Sequence, residues 1–473
     1  MSYQTNNGND LRRSRIMKKT RMITITEGVI WKQLLLFFFP IMLGTLFQQL
    51  YNTVDTIVIG QYAGTTALAA VGGSAAQIMN LLIGFFVGLS SGATVIISQY
   101  FGARNDSGVS KAVHTAMALA ILAGLLMTVL GLALSPFLLR LMNTPEETMP
   151  DSTLYMRIIF LAMIPAMIYN VGSGVLRAVG DSQRPLHFLI VSCLVNVVLD
   201  LLFVAAFRWS VAGVAIATGI AQIASAVLIW RCLGNVVASH RLRIRHIRID
   251  PAILKKTIRI GLPSGLQSVM YALSNMIISA TINGFGTATV AAWVSLGKVD
   301  GMYWMISGAF GASVMTFVGQ NYGAGKLRRA ETSMLVCTGL SLAAAGIFST
   351  GFITFARPIF SLFTKDPEVL ATALRMTRSI SPWYFLFVPI EVISGSLRGM
   401  GITLFPTLLT ALGICVFRSF WMFAVVPTQP VIETITVSYP ISWLLTSLAF
   451  ILYYLYARRK LGFDPLLTSI SRK

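Results

Sequence analysis

The sequence predicts an all-α membrane protein, twelve transmembrane helices forming two six-helix bundles related by a pseudo-twofold axis along the membrane normal. Three observations lead there. Of the 473 residues, 55% are hydrophobic and only 11% charged, a balance that an ordinary soluble domain of this length does not sustain. The apolar residues are gathered into long runs, and about 20 in succession suffice to cross a bilayer as a helix. The runs also repeat. Gln99-Tyr-Phe-Gly-Ala103 returns as Gln320-Asn-Tyr-Gly-Ala324, and Gly174-Val-Leu-Arg-Ala-Val-Gly180 as Gly395-Ser-Leu-Arg-Gly-Met-Gly401, each at an offset of 221. Such self-similarity marks a tandem duplication. Six spans per half is an even number, so both halves enter the membrane from the same side, which sets the direction of the axis.

Spans are expected to start near Trp31, Ala67, Val113, Thr153, Leu186, Val211, Ala252, Ala288, Thr332, Val369, Phe405 and Thr434. On this reading the N-terminus carries seven basic residues, from Arg12 to Lys32, and the loop from Arg231 to Arg259 carries eight. The opposite side holds four, Arg140, Arg208, Arg357 and Lys365. The positive-inside rule then puts both termini and the central loop in the cytoplasm of a plasma (inner) membrane. The net charge of +20 is thereby topology, and no nucleic-acid partner is implied. The lobes are expected at 31–238 and 251–458, joined by a basic linker at 239–250, with cytoplasmic tails at 1–30 and 459–473. The tail through Asn9 reads as disordered, and no short apolar core with a small-residue cleavage site follows it, so no removable signal peptide is expected. Cys193, Cys232, Cys337 and Cys415 are far apart and form no CxxC pair, which argues against a disulfide framework or a thiolate metal site.

The first span carries the chain's most telling residue. Asp55 is the only charged side chain between Lys32 and Arg104. An ionised carboxylate inside a membrane costs at least about 2.5–3.5 kcal/mol, so it must be paired, hydrated, bound to a cation or protonated. Asn52, Gln48 and Thr45 fall on its face at helical spacing, a polar stripe suited to a wet cavity. The fourth span brings Tyr155 and, deeper, Asn170. In the fifth, Ser192, Asn196 and Asp200 are spaced by four and line one face; in the sixth, Thr218 and Gln222 do the same. Counting from the helix ends at 1.5 Å per residue places Asp55, Asp200, Thr218 and Tyr155 roughly 6 to 12 Å below the outer surface, with Asn196 somewhat deeper.

Carboxylate, amide, hydroxyl and phenol groups at one depth outline a proton or cation site. Two carboxylates held together would titrate as a coupled pair, and the same oxygens suit a hard cation such as Na⁺. Asp55, Asn196, Asp200 and Thr218 are the candidate Na⁺ ligands; a proton fits as well.

The second half differs. Asp55 corresponds to Ile278 at an offset of 223 and Asp200 to Trp421 at 221, so the acid pair was not duplicated. Its seventh span offers Gln267 and Asn275, the eighth Lys298 and Asp300, the tenth Glu391 and the eleventh Arg418. Asp300 near mid-membrane could meet a cationic substrate or a basic neighbour, though not Lys298, since residues two apart on a helix face different ways. Glu391 stands one or two turns from Arg398 and reads mainly as a gate or structural group. The 21 Met and 28 Phe supply adaptable apolar surface, most of it for packing and lipid contact. His114, His187, His240 and His246 show no metal-ligand spacing.

These residues together resemble the multidrug and toxic compound extrusion (MATE) family of bacterial transporters. The likeness covers about Glu27 to Lys460. It rests on the duplicated six-span halves, Val54-Asp55-Thr56, the Gln-x-x-Gly-Ala endings of the second and eighth spans, and Asn196-Val-Val-Leu-Asp200 followed by Thr218. The resemblance implies that Asp55 is the central coupling residue, that Asn196, Asp200, Thr218 and Tyr155 form its cation or proton network, and that the first helix bends at Pro40 when Asp55 changes state. Some branches also use acids in the second half, but the seventh span here lacks the glutamate they carry.

The expectation is therefore a secondary active antiporter, not an enzyme. It acts as a monomer and exports amphipathic, cationic, drug-like compounds in exchange for H⁺ or Na⁺, with no cofactor beyond that ion. Gln48, Asn52, Asn170, Gln267, Asn275, Asp300 and Glu391 are its candidate cavity residues. The alternative within similar architecture is a flippase for lipid-linked oligosaccharides, which would want a basic cavity. A membrane enzyme acting on lipid phosphates is a different class, and no HExxH or clustered Asp-rich motif is present.

Overall fold

Pro, Gly and the polar caps fix where the apolar runs start and stop. In the computed structural model, which describes residues 24–236 and 238–460, those runs are helices and no strand occurs among the described residues. The expected disorder through Asn9 lies outside the described residues, as do most of the two tails. The elements are α1 (Ile30–Tyr62), α2 (Gly64–Gly102), α3 (Asp106–Leu141), α4 (Met149–Leu161 with Met163–Ala178), α5 (Gln183–Ala206), α6 (Ser210–Asn235), α7 (Pro251–Asn283), α8 (Thr287–Gly323), α9 (Leu327–Ser361), α10 (Pro367–Gly399), α11 (Leu404–Thr428) and α12 (Ile432–Lys460). The helices begin a few residues before the expected points because each extends beyond the hydrocarbon core into its headgroup region.

Ten of the helices are long and apolar enough to span a membrane, and the bent pair in α4 makes an eleventh. The twelfth, α7, has the length, 33 residues, but not the apolarity. Lys255, Lys256 and Arg259 occupy its first turns, and Ser264, Gln267, Ser268, Ser274 and Asn275 its interior. Large apolar side chains such as Ile347 (76% exposed) and Phe423 (72% exposed) cover the outside, which is where lipid replaces water as the solvent. This is a multi-pass membrane protein.

The duplication is written into the turns. Gly64 and Gly286, with φ of 88° and 90°, stand 222 residues apart; Gly180 and Gly401, with φ of 94° and 88°, stand 221 apart; Arg104 and Gly325 repeat the left-handed turn after α2 and α8 at the same offset. Glycine enters that region without steric cost. Side-chain caps complete the punctuation: Asn105 Oδ1 accepts from Gly108 N at 2.8 Å, Asp250 Oδ1 from Ala252 N at 3.0 Å, and Asp366 Oδ1 from Glu368 N at 2.8 Å, each satisfying an orphan donor of a first turn.

Two irregular stretches occupy matching places. α4 bends by 50° at Ala162, where Pro165 removes a hydrogen bond to Leu161 and crowds its carbonyl. In α10 the equivalent region, Ser381–Phe387, winds as a 3₁₀ helix, opened by Pro382.

The chain forms two compact units, one with residues 35–265 and the other with Val29–Leu34 and Leu266 onward. In the first, the linker groups with the bundle. The His114 Nδ1–H donates to Ser110 O at 2.6 Å while its Nε2 accepts from Arg243 N at 3.0 Å, which fixes one neutral tautomer. Thr115 Oγ1 accepts from Asp250 N at 3.1 Å. The first turns of α7 also belong here. A Cβ on Gly88 would come within 2.6 Å of the Gly265 Cα, so α2 and α7 approach backbone to backbone as small residues permit in membranes. In the second unit the buried centre is aromatic, with Tyr303, Tyr384, Phe310, Phe317 and Trp443 almost fully enclosed.

Candidate functional site

The first unit assembles four helices around Asp55. Gly213, Ala217 and Ala221, spaced by four on one face of α6, let α5 come close, and Ser192 Oγ donates to Ala221 O at 2.7 Å to fix their register. Ser152 Oγ donates to Ala70 O at 3.1 Å and ties α4 to α2. On this frame Thr218 Oγ1 donates to Asp55 Oδ2 at 3.5 Å, and Asn196 Nδ2 donates to Thr218 Oγ1 at 3.5 Å. The Asp200 carboxyl lies within hydrogen-bonding reach of Asp55. Asp55, Asn196 and Asp200 are 8%, 1% and 0% exposed.

The donors do not suffice for these acceptors. Asp55 Oδ1, both Asp200 oxygens and Asn196 Oδ1 are buried without a partner among the described residues. Buried carboxyl oxygens left without donors in this way are costly. α5 leaves regular geometry at this point: Leu201–Ala206, directly after Asp200, is π-helical, a distortion common at functional sites.

An apolar seal closes one side. Val58 and Ile59 follow Asp55 by one turn, Val204 follows Asp200, and Val214 precedes Thr218; all four pack with Ala67, Ala70 and Val211 into one buried cluster, against which Tyr155 lies. Tyr155 is thus near both acids but donates to neither among the described residues. Tyr51, one turn before Asp55 and bonded to Gln48, is a neighbour the sequence reading missed, although its spacing of four from Asp55 was available.

The remaining candidates divide. Pro40 lies inside the continuous helix α1 and shares a small cavity of about 70 Å³ with Gln48, Asn170 and Arg177. Asn52 is exposed and stands apart from it. In the second unit a larger cavity of about 500 Å³ is lined by Asn275, Asp300, Glu391 and Arg418 together with Tyr271, Trp293, Trp304, Tyr439 and Trp443. Gln267 is not among its walls, and its Oε1 is buried without a partner.

Asp300 Oδ1 accepts from the Tyr384 hydroxyl and is reached by the Trp304 indole. Tyr384 is delivered by the 3₁₀ stretch of α10 and stacked on Tyr303 at 4.1 Å. Glu391 pairs with Arg398 at 3.6 Å and fills the space that a Cβ on Gly311 would take. This aromatic wall was not legible in advance, since Tyr384 and Asp300 are separated by 84 residues.

A duplicated helical bundle with unsatisfied acids inside one half and a larger cavity inside the other has the anatomy of a membrane transporter. The MatE family model matches it twice, once in each half, over residues 40–202 and 263–423. The chain belongs to the MATE family of multidrug efflux transporters, and with that family it is a transporter and not an enzyme. It is 30% identical over 395 residues to the probable multidrug resistance protein YoeA of Bacillus subtilis (strain 168), covering 81% of this chain and 84% of that one. It is 28% identical to the probable multidrug resistance protein YpnP of the same organism, over 92% and 97% of the two chains. A solved structure of an outward-facing multidrug resistance transporter of the MATE family has the same fold, with a TM-score of 0.87 at 22% identity over 94% of this chain and 99% of that one.

Proposed function

We propose that the protein is a secondary active antiporter of the plasma membrane that exports amphipathic organic compounds carrying a cationic group in exchange for H⁺ or Na⁺. Both termini face the cytoplasm, where the positive-inside rule puts them, and a single chain supplies both halves, so a monomer suffices. The observation that carries the reading is the contact between Asp55 and Asp200, with Thr218 and Asn196 beside them and too few donors for the oxygens present. Such a pair changes charge when a proton or cation arrives. Neutralising it removes the repulsion between the acids of α1 and α5 and so changes how the two helices pack. Pro40, where α1 lacks one backbone hydrogen bond, is the natural place for the helix to yield. Coupling then requires only that ion and drug each prefer a different conformation.

The test is dye export from proteoliposomes under a pH gradient alone and a Na⁺ gradient alone. One of the two should drive uphill movement, and Asp55→Asn should abolish it while the protein remains inserted. Normal gradient-driven export by Asp55→Asn would falsify the assignment.

A further inference from the structure

Arg418 is the unexplained charge in the second unit. It is 4% exposed, lines the cavity of about 500 Å³, and has no carboxylate within ion-pairing distance among the described residues. Its guanidinium lies 3.8 Å from the centre of the Tyr439 ring and 5.5 Å from that of Trp443, and its Nε donates to Ser442 Oγ at 2.9 Å. Its Nη2 is buried with no partner. Packing alone does not account for this, because an apolar side chain would fill the place without the cost of burying an uncompensated cation. Stacking on Tyr439 holds the guanidinium flat and pre-aimed, which is how arginine is set up to take a planar anion. The same cavity contains Asp300, whose carboxylate is held by Tyr384.

We propose that this cavity selects aromatic zwitterions, seating a carboxylate of the substrate on Arg418 and its cationic group toward Asp300, between the aromatic walls. The proposal rests on the export reading only for the claim that the ligand is cargo. A cationic group is retained and an anionic one becomes a determinant of specificity. A site built to donate to an anion discriminates strongly against an analogue lacking it, since the buried donor is then left unpaired.

The experiment measures equilibrium binding to purified protein, with no ion gradient, of rhodamine B as its free acid, a zwitterion, and as its ethyl ester, a cation of nearly the same shape. The wild type should bind the acid about tenfold more tightly than the ester. Arg418→Gln should remove that preference by weakening the acid without weakening the ester, which loses a like charge from its site, and Arg418→Lys should retain part of it. Equal affinity of the wild type for both dyes overturns the proposal, as does a parallel loss of both in Arg418→Gln. Should Arg418→Gln fail to fold, the wild-type ratio decides by itself. Loss of ion coupling would not alter these affinities, so failure of antiport and failure of the zwitterion site are distinguishable.

Discussion

The two halves keep the same turns and exchange their interiors. At the offsets set by the duplication, Asp55 and Asp200 of the first half stand opposite Ile278 and Trp421, while Arg418, Glu391 and Tyr384 of the second stand opposite Val197, Asn170 and Met163. In the first half the acids and their partners crowd one point, and the cavity beside them, near Gln48 and Asn170, is about 70 Å³. In the second they are spread around about 500 Å³, a volume in the range of small-molecule sites, about 300–1,000 Å³. The difference teaches that a duplicated scaffold can divide its labour. On the proposed export mechanism, one bundle keeps acids close enough to be read by an ion, and the other holds its charges apart with tryptophan and tyrosine, which is what a larger guest requires.

The sharpest way to break that division is to remove an acid from each half. Asp200→Asn should reduce gradient-driven export by about 100-fold or more, since the remaining carboxylate no longer has a partner with which to share a proton or cation. Asp300→Asn should leave the ion dependence intact and weaken dye binding by about tenfold, the scale of one charge-assisted contact. Parallel measurement of export and dye affinity in the two variants checks this. If Asp300→Asn abolished ion dependence and Asp200→Asn did not, the roles assigned to the halves would be reversed.

Next in size is the aromatic wall. Trp443 is 0% exposed and touches Trp304, Tyr439, Tyr384 and Phe387, with ring centres 5.7 to 6.0 Å away. Trp443→Ala should cost about 3–5 kcal/mol, seen as a lower melting temperature in detergent, and should weaken rhodamine B and its ester alike. Native melting with unchanged dye affinity would show that the wall is not what shapes the cavity.

Much of the first half was legible in sequence, because its information is local. Asn196 and Asp200 are one turn apart, Thr218 lies at a matching depth on the next helix, and a lone acid in an apolar run announces itself. The geometry brings Asp55, Asp200, Asn196 and Thr218 together. Asn52, three residues before Asp55 and about 60° off its face, is exposed. The second half was less legible, since its cavity depends on contacts between α8, α10, α11 and α12. Asp300 finds its donor in Tyr384 only because proline turns part of α10 into a 3₁₀ stretch. Arg418 was visible as a charge in a span, but nothing in its neighbourhood in sequence shows that it lacks a carboxylate partner.

The halves should also differ in acid. His240, in the linker of the first unit, is 0% exposed with neither ring nitrogen bonded among the described residues. Burial, reinforced by the charge of Arg184, pushes its pKa down to about 4. An unfolded histidine takes up a proton near pH 6.5, so the unfolded state binds more protons between about pH 6.5 and 4, and stability falls as pH drops through that window. By pH 5 the loss should reach about 2 kcal/mol. Asp181, raised by burial, titrates in the opposite sense, so the comparison is with His240→Gln at each pH. Hydrogen exchange should show acid loosening residues 238–250 and the adjoining end of α6 first. A difference between wild type and His240→Gln that does not change with pH would remove the histidine from the account.

The smallest effect tests whether the interiors can still be exchanged. Glu391 and Arg398 pair in α10 at 3.6 Å, and the duplication sets Asn170 and Arg177 at the same spacing in α4. Asn170→Glu therefore grafts the pair of the second half into the first. The new carboxylate would meet Arg177, whose buried guanidinium lies beside Tyr169, and would lose the bond that Asn170 Nδ2 donates to Ala166 O at 2.9 Å. The attraction and the desolvation of a partly buried ion pair nearly cancel. The melting temperature should then move by the equivalent of about 1 kcal/mol or less, and gradient-driven export should persist. Collapse of the protein would mean that the first half has repacked around an amide there and no longer accepts the charge its copy retains.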